Sequence, residues 1–433
     1  MKPVRLAILG LGTVGGGVLQ LLQENATEIK RRTGREIQIT HVGTRRPRPD
    51  LNLEGIQQSD NLLEIVRQPD VDIVVELIGG LHPAKDIIIE AIKHGKQVVT
   101  ANKALLAEHG NELFTLADQH VVQIAYEAAV AGGIPIIKVM REGLAANRIN
   151  WLAGIINGTG NFILTEMREK GRPFEDVLKE AQELGYAEAD PTFDVEGIDA
   201  AHKLTLLASI AFGIPLQFDK VYTEGISKIT AQDVQYAEEL GFRIKHLGIA
   251  RRAEKGIELR VHPTLIPKEQ PLANVNGVQN AIAVNASAVG QTMYYGPGAG
   301  GGPTASAAVA DIIDLVRDIS YTEDGSGTIP QLAFESLKDI PILPRQEITS
   351  GYYLRINVED LTGVLADVTT ILSHLGISID AILQQPRLKN RIPIVIMTDP
   401  IVESKMDEAI AKIQALPATH GEVIRIRLES LEH

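Results

Sequence analysis

Near the start of the chain, three glycines with the spacing Gly-x-Gly-x-x-Gly directly follow a short apolar run. Gly10, Gly12 and Gly15 come after RLAIL and open an amphipathic stretch. In this setting the first glycine permits a tight turn, the second lets a pyrophosphate approach the backbone, and the third allows a helix to pack closely on a strand. The helix that begins around Thr13 and Val14 offers free amides and partial positive charge to phosphates. The motif predicts a dinucleotide site at these five residues; a turn that serves packing alone is the alternative.

Strand-like and helix-like segments alternate over the first third of the chain. VRLAILG, IQITHVGT, VDIVVELIG and KQVVT are typical of strands, whereas VLQLLQEN and IIIEAIKHG are typical of helices. Strands separated by helices of this length form a parallel, doubly wound sheet. We therefore predict an α/β protein whose residues 1–147 form a Rossmann-type dinucleotide-binding domain.

The remaining chain divides into two further domains and a connector. Residues 148–319 mix helical segments with strand-like runs such as IELRVHPTLI and NAIAVNA, which indicates an α+β substrate domain. Residues 351–433 follow the order strand, helix, strand, strand, helix, strand, which is the ferredoxin-like βαββαβ unit. Between them, residues 320–350 are rich in residues that break regular structure and are predicted to be a linker. These residues are Gly325, Gly327, Pro330, Pro341 and Pro344.

Composition excludes several classes of function. The formal net charge of −13 over 433 residues repels phosphate polymers and acidic membrane surfaces, so we expect no nucleic-acid or membrane partner. No apolar run reaches the roughly 18 residues that span a bilayer, and the N-terminus does not read as a signal peptide. The absence of cysteine excludes disulfide scaffolds and thiolate metal sites and is compatible with a cytoplasmic protein. We give the last residues, Leu431 to His433, no functional weight because they resemble the start of an expression tag.

The second predicted strand ends in a basic segment. A site that prefers NAD usually places a carboxylate here, on the ribose hydroxyls, but the chain has Thr44, Arg45, Arg46, Pro47 and Arg48. Arginine side chains suit a 2′-phosphate because they can bind it with two hydrogen bonds. Arg45 and Arg46 therefore favour NADP, with NAD left open; a solvated basic loop is the alternative.

Five separate segments closely resemble homoserine dehydrogenases. They occur in order across the catalytic part of the chain: VVTANKALL at 98–106, YEAAVAGGIPIIK at 126–138, GIINGTGNFIL at 154–164, AQELGYAEADPTFDVEGID at 181–199 and GPGAGGGPT at 296–304. The segment NVEDLTGVLADVTTILSHLGISI, which begins at residue 357, resembles an ACT domain, an amino-acid-sensing module. The resemblance implies that residues 148–319 also carry the dimer contact, that 296–319 return to the cofactor domain, and that the chain forms a homodimer or homotetramer.

Two charged residues stand four positions apart in the predicted helix VEGIDAAHKLTLLASIAFG. Asp199 and Lys203 therefore share one helix face, where an exposed ion pair of little energetic value is the simplest interpretation. The resemblance implies instead that this pair performs proton transfer, with Lys203 as the proton donor. It also implies that Lys103, at the carboxyl end of a predicted strand, is a second active-site lysine near substrate and nicotinamide. His202 is expected to be structural.

A run of acidic residues precedes Lys203 and suits a substrate that bears an ammonium group. The run comprises Glu188, Asp190, Asp194, Glu196 and Asp199. The resemblance implies that Glu188, Asp194 and Gly185 contact homoserine.

A glycine-containing loop from residue 127 to 134 could expose backbone carbonyls to a cation. The resemblance implies a monovalent cation, Na⁺ or K⁺, bound by the carbonyls of Glu127, Val130, Gly132 and Ile134. It also places the glycine run at 296–302, with Gly300, against the nicotinamide end of the cofactor; a flexible connector is the alternative.

The resemblance implies NAD(P)H-dependent, reversible reduction of L-aspartate 4-semialdehyde to L-homoserine, in threonine, methionine and isoleucine biosynthesis. In the C-terminal domain, Asn357, Asp360 and Gly363 lie in the first strand-to-helix turn, where glycine relaxes the backbone and the helix offers amides to a carboxylate. The resemblance to ACT domains implies a regulatory amino-acid site there, with threonine as inhibitor. A domain that only assembles subunits is the alternative there. For the whole chain, the alternatives are another Rossmann dehydrogenase and a catalytically silent sensor.

Overall fold

The structure, a computed structural model, describes residues 2–253, 256–324, 345–347, 349–384 and 391–428. The chain divides into two compact units, Met1–Ser336 and Leu337–His433. The predicted linker is shorter at both ends than 320–350, because a helix continues to Asp324 and a strand begins at Thr349. Its five glycines and prolines and the last three residues of the chain lie outside the described residues.

The first unit begins with a six-stranded parallel sheet, as predicted. Its spatial order is β3-β2-β1-β4-β5-β6, which is a doubly wound arrangement. The strands are β1 Val4–Leu9, β2 Ile37–Gly43, β3 Gln57–Ser59, β4 Ile73–Glu76, β5 Gln97–Thr100 and β6 Ile124–Ala125. The central strands are buried on both faces, which explains why β1 and β4 are continuous apolar runs.

Helices cover both faces of this sheet. They are α1 Thr13–Glu24, α2 Ala26–Thr33, α3 Leu62–Val66, α4 Ala84–Lys93 and α5 Lys103–Gln119, followed by the short α6 Ile136–Lys138 and a π-helical turn at Val139–Gly143. The late helix α12, Gly301–Asp324, returns to this layer, since its apolar side chains share a core with β1 and α1. Across the described residues, no helix combines the length and apolar character that crossing a bilayer requires.

A second, mixed sheet follows in the same unit. Its order is β12-β11-β7-β9-β10-β8, and every pairing is antiparallel except that of β8 with β10. The strands are β7 Ile149–Ile155, β8 Tyr222–Thr223, β9 Phe242–Ala253, β10 Gly256–Pro267, β11 Gln279–Ala286 and β12 Gly290–Pro297. The accompanying helices are α7 Gly158–Lys170, α8 Phe174–Glu183, α9 Thr192–Val195, α10 Ile198–Phe212 and α11 Ala231–Glu239. The predicted α+β character of this region is confirmed.

The second unit has the predicted βαββαβ order. Its elements are β13 Thr349–Glu359, α13 Val364–His374, β14 Ile379–Gln384, β15 Arg391–Val402, α14 Glu403–Gln414 and β16 Ile424–Leu428. The four strands form an antiparallel sheet in the order β14-β15-β13-β16. Alternate residues of β13 point into the core, with Tyr352, Leu354 and Ile356 fully buried against the two helices.

Candidate active site

The loop from Gly10 to Gly15, called here the glycine loop, joins β1 to α1. Gly10 has φ of +96°, and a Cβ there would lie 2.6 Å from the carbonyl oxygen of Leu77. A Cβ on Gly15 would lie 1.8 Å from the carbonyl oxygen of Gly10, whereas one on Gly12 would meet nothing within 4 Å. The first and third glycines are therefore required by the fold, and the second faces open space. Thr13 begins α1, whose first turn has no side-chain cap.

A cavity of about 650 Å³ adjoins this loop at the carboxyl ends of β1, β2 and β4. Arg45 and Arg46 line it, are exposed, and make no ion pair within the described residues. Arg48 also lines it but donates to the carbonyl of Leu11 and pairs with Asp50 at 2.7 Å. Arg48 was not among the predicted cofactor residues. The three arginines make this end of the sheet suitable for an anionic group.

The glycine run at 296–302 brings α12 close to α1. Gly300 has φ of +121°, and a Cβ on Gly301 would lie 3.0 Å from Cγ2 of Thr13. On the other side of the run, the Gly133 amide donates to the carbonyl of Pro297 at 2.9 Å. The run is therefore a close contact between the glycine loop and the 127–134 loop, which argues against a flexible connector.

Lys103 is the first residue of α5, immediately beyond the carboxyl end of β5. Asn102 caps this helix through the Leu105 amide and donates to the carbonyl of Gly80 at 2.7 Å. The Thr100 hydroxyl donates to the buried Glu76 carboxylate at 2.6 Å. These bonds set the direction in which α5 leaves the sheet.

Lys103, Asp199 and Lys203 form what we call the charged cluster. The Lys203 ammonium donates to Oδ2 of Asp199 and to the carbonyl of Ile156, both at 2.7 Å. Nζ of Lys103 lies 3.2 Å from Oδ1 of Asp199, so each carboxylate oxygen faces one lysine. Asp199 and Lys203 are only 4% and 8% exposed, so the interpretation of this pair as an exposed ion pair is wrong.

Burial and charge shift the pKa values of the charged cluster in ways that suit proton transfer. Burial alone would raise the pKa of Asp199, but Lys203 and Lys103 outweigh it and hold that pKa well below its usual range. Burial lowers the pKa of Lys203, and the nearby charge of Lys103 adds to this effect, although Asp199 opposes it. A permanently ionised aspartate thus accompanies a lysine that loses its proton more readily than a solvated one.

Asn157, the N-cap of α7, joins two acidic residues. Its Nδ2 donates to Oδ1 of Asp194 at 2.7 Å and to Oδ2 of Asp199 at 2.9 Å. Burial raises the pKa of Asp194, and the hydrogen bond from Asn157 opposes the rise. Asn157 was not among the predicted site residues. Asparagine directly before the glycine-rich start of a helix is an N-cap signal, but that signal does not indicate the two acids that Asn157 joins.

Only two of the five predicted acids meet in this site. Asp190 accepts from the Thr192 amide at 3.1 Å, and Glu196 accepts from the Ser227 hydroxyl at 2.6 Å. Glu188 and Gly185 lie in an exposed loop, and within the described residues no hydrogen bond or ion pair links the Glu188 carboxylate to the charged cluster. Asp194 and Asp199 are therefore the acids that the fold brings together.

His202, which was expected to be structural, packs against aromatic side chains. Its ring lies between Phe193 and Phe218, with centroid distances of 5.4 and 4.3 Å. Neither ring nitrogen has a hydrogen-bond partner within the described residues, and burial lowers the pKa of His202 to about 4. The ring is therefore neutral at physiological pH.

The 127–134 loop presents carbonyl oxygens rather than carboxylates. The Glu127 carboxylate is occupied by the amides of Ile137 and Lys138, each at 2.9 Å. The carbonyls of Val130 and Gly132 accept no hydrogen bond within the described residues, and positive φ at Ala131 and Gly132 shapes the turn. The donor chemistry fits a monovalent cation better than a divalent one. No cluster of three metal-ligating side chains occurs in the described part of the chain.

In the second unit, the predicted regulatory residues surround the turn from β13 to α13. Gly363 has φ of +97° and is the N-cap of α13, while Asp360 is exposed in the turn. Asn357 lies on β13, and its carbonyl accepts from the His420 amide at 2.8 Å.

Family models match nearly the whole chain. The model described as homoserine dehydrogenase, NAD binding domain matches residues 10–127, the homoserine dehydrogenase model matches 135–313, and the ACT domain model matches 352–417. Curated homoserine dehydrogenases from Pseudomonas aeruginosa and Neisseria gonorrhoeae are 59% and 54% identical to this chain, each over 100% of both chains.

Solved structures agree. A homoserine dehydrogenase from Thiobacillus denitrificans is 57% identical, with a TM-score of 0.73, over 100% of this chain and 99% of that one. A hyperthermophilic archaeal homoserine dehydrogenase in complex with NADPH is 28% identical, with a TM-score of 0.62, over 72% of this chain and 97% of that one. The chain therefore belongs to the homoserine dehydrogenase family of NAD(P)-dependent oxidoreductases, with a C-terminal ACT domain.

Proposed function

We propose that the protein reversibly reduces L-aspartate 4-semialdehyde to L-homoserine, a step toward threonine, methionine and isoleucine. The observation that carries this proposal is the buried charged cluster. Lys103 places it at the carboxyl edge of the same parallel sheet whose β1 leads into the glycine loop. Ligands of open α/β sheets bind at that edge. A cytoplasmic location remains a prediction from the absence of cysteine.

Lys203 is proposed as the proton donor in the reducing direction and as the acceptor in reverse. An ammonium group has three N–H donors, and here two are bonded to Asp199 and Ile156. The third remains for the substrate oxygen. In the neutral amine the lone pair takes that direction, so the same geometry serves both directions of proton transfer.

Asp199 is proposed to orient both lysines. With Oδ2 on Lys203 and Oδ1 facing Lys103, it fixes two positive charges whose mutual repulsion would otherwise separate them. Lys103 is more exposed than Lys203 and is proposed to add positive charge beside the developing alkoxide and the nicotinamide.

The substrate ammonium is proposed to bind Asp194, with Glu188 and the Gly185 backbone contributing from the exposed loop. Asp194 is half-buried beside the charged cluster, and only Oδ1 is engaged by Asn157 within the described residues. Its second oxygen is therefore able to accept from an ammonium group.

NADPH is proposed as the preferred cofactor, with NADH also accepted. When bound, the reduced nicotinamide supplies the hydride. The glycine loop, including Thr13 and Val14, would hold the pyrophosphate, the exposed Arg45 and Arg46 would hold a 2′-phosphate, and Gly300 would lie near the nicotinamide.

The decisive experiment follows absorbance of the reduced nicotinamide with aspartate 4-semialdehyde as substrate, using each cofactor in turn. We expect substrate-dependent oxidation of NADPH faster than that of NADH. Cofactor binding without any turnover would support the silent-sensor alternative instead.

A monovalent cation, Na⁺ or K⁺, is proposed at the carbonyls of Glu127, Val130, Gly132 and Ile134. The carbonyls of Val130 and Gly132, which accept no hydrogen bond from any described residue, support this assignment. Activity measured in Na⁺, K⁺ and tetramethylammonium salts at equal ionic strength tests it. Equal rates in all three salts would contradict the cation site.

Threonine is proposed to bind the ACT domain at Asn357, Asp360 and Gly363 and to inhibit, in a homodimer or homotetramer. The N-terminus of α13 offers amides to a carboxylate, and inhibition requires threonine to favour one global state. Titrating the full chain and the Asn357→Ala variant with threonine tests this, with a chain ending near Ser350 as control. A full-length rate and Tm that ignore threonine would contradict it.

A further inference from the structure

The side chain of Asn157 is the hydrogen-bonded link between Asp194 of α9 and Asp199 of α10. Its Nδ2 donates to both carboxylates, at 2.7 and 2.9 Å, and its Oδ1 accepts from the Gly160 amide at 2.8 Å. Both N–H donors of the amide and one lone pair of its oxygen are thus used, and Asn157 is only 7% exposed.

The orientation of this amide is determined by its partners. If the group were flipped, Oδ1 would face two carboxylates and Nδ2 would face the Gly160 N–H, so both sides would be repulsive. Because Nδ2 of Asn157 donates to both acids, one carboxylate oxygen of Asp194 and one of Asp199 lie on either side of the same NH₂ group. Without this shared donor, the two negative charges would repel each other.

The backbone that carries Asn157 is itself held firmly. A Cβ on Gly158 would lie 2.6 Å from the carbonyl oxygen of Val278, so the start of α7 lies directly against that segment. One turn later, Asn161 donates to three carbonyls, and its own oxygen accepts from the buried ammonium of Lys245 at 3.1 Å. Ile156, just before Asn157, accepts from Lys203. Residues 156 and 157 therefore hydrogen-bond to the proton donor and to both acids, respectively.

We propose that Asn157 is a positioning residue that holds the carboxylate for the substrate ammonium, Asp194, in register with the Asp199–Lys203 pair. This inference rests on the proposed function. The amide of Asn157 bonds to Asp194, which binds the substrate, and to Asp199, which holds the proton donor Lys203. The distance between the two acids is thereby fixed. A small substrate bound at Asp194 then presents its reacting oxygen to Lys203.

The two hydrogen bonds from Nδ2 of Asn157, called here the bridge, also oppose protonation of Asp194. The charged groups that face Asp194 are Asp199 and Lys203 of α10 and Lys103 of α5, and burial and Asp199 raise its pKa while the lysines and Asn157 lower it. Removing the Asn157 donor therefore raises the pKa of Asp194 further. In the reducing direction Lys203 acts as the ammonium, so the acid limb of kcat/KM for aspartate 4-semialdehyde reports the ionisation of Asp194 and moves to higher pH.

Asn157→Ser tests the bridge without removing the helix cap. Serine is as good an N-cap as asparagine, but its short side chain cannot span both carboxylates. We expect kcat/KM for aspartate 4-semialdehyde to fall by about 10- to 100-fold, as for loss of a hydrogen bond to a charged group. We also expect the acid limb to move to higher pH, with little change in KM for NADPH.

Two further variants complete the test. Thr230→Ala removes the cap of α11, whose capping box involves only Thr230 and Asp233, and should lower Tm without moving the pH profile. Asn157→Asp keeps the cap but replaces the donor by a third carboxylate; it should show an equal or larger shift and decides the case if the serine variant does not fold.

A folded Asn157 variant with an unmoved acid limb, whatever its kcat/KM, would overturn the positioning role. Lys203→Ala is measured in parallel. If that variant also keeps near-normal turnover, the proposed function itself fails, and the bridge is not the cause.

Discussion

The glycine loop and the charged cluster belong to one candidate site but are built in opposite ways. In the glycine loop, backbone geometry determines the residues: Gly10 and Gly15 leave no room for a Cβ. The charged cluster is built from side chains on α5 and α10, with both members of its central pair less than a tenth exposed. One end is an open cavity lined by arginines, two of them exposed, and the other is the buried ion pair Asp199–Lys203 with the half-buried Lys103 beside it.

This difference separates binding from chemistry. An exposed arginine can strengthen or weaken binding of one cofactor, but solvent screens its charge from the more distant charged cluster. In the charged cluster, each charge depends on its neighbours because burial makes an uncompensated charge costly. Substitutions at the open end should therefore alter selectivity, whereas substitutions at the buried end should alter turnover.

The largest effect is expected for Lys203→Ala. General acid–base catalysis contributes about 100- to 10,000-fold, so kcat should fall by about 100-fold or more while cofactor binding survives. Lys96→Ala is a matched control, since Lys96 is a buried lysine bonded to the carbonyls of Gln68 and Val71, just before β5 at the opposite edge of the sheet. It should lose stability without this loss of turnover. Near-normal kcat in Lys203→Ala would remove Lys203 from the mechanism.

A smaller and selective effect is expected at the open end. Arg45→Asp should raise KM for NADPH much more than KM for NADH, by about 10- to 100-fold in the ratio, which corresponds to loss of a charge-assisted hydrogen bond. NADH is the internal control because it lacks the 2′-phosphate. Equal weakening of both cofactors would show that Arg45 does not bind that phosphate.

The smallest effect on turnover is expected for His202→Phe, which instead changes the pH dependence of stability. The pKa of His202 is about 4 in the folded protein and 6.5 ordinarily, so only the unfolded chain takes up a proton between these values. The contribution of neutral His202 to the free energy of unfolding is fully present above pH 6.5, and about 3 kcal/mol of that free energy is lost as the pH falls to 4. Urea denaturation from pH 7 to 4 should show a shallower decline for His202→Phe. An unchanged slope would contradict the assignment.

The two ends also differ in how far the sequence predicts them. The glycine loop could be located because its backbone tolerates only glycine at two fixed positions. The alternation of strands and helices around it correctly predicted a parallel, doubly wound sheet. Arg48 was missed as a lining residue because its position depends on a turn that brings it back to the carbonyl of Leu11. No spacing rule encodes that turn.

The charged cluster could be predicted only in part. Asp199 and Lys203 share a helix face, as their spacing predicted. The helix was predicted to begin at Val195, but it begins at Ile198 because Gly197 has φ of +84°. Their burial and their contact with Lys103, nearly a hundred residues earlier, depend on tertiary packing. The run of five acids suggested one binding patch, but Asp190 bonds to the nearby Thr192 amide and Glu196 bonds to Ser227, 31 residues away. Asn157 joins acids 37 and 42 positions away, which no local pattern reveals.

The central claim is that Lys203 and Asp199 act as one proton-transfer unit, and a double-mutant cycle on kcat tests it most directly. The variants are Lys203→Met, Asp199→Asn and their combination, each assayed with homoserine at saturating cofactor. Residues that act as a unit give strongly non-additive effects, so the double variant should be no slower than the slower single variant. Additive losses, with the double variant slower by the product of the two single effects, would contradict the account.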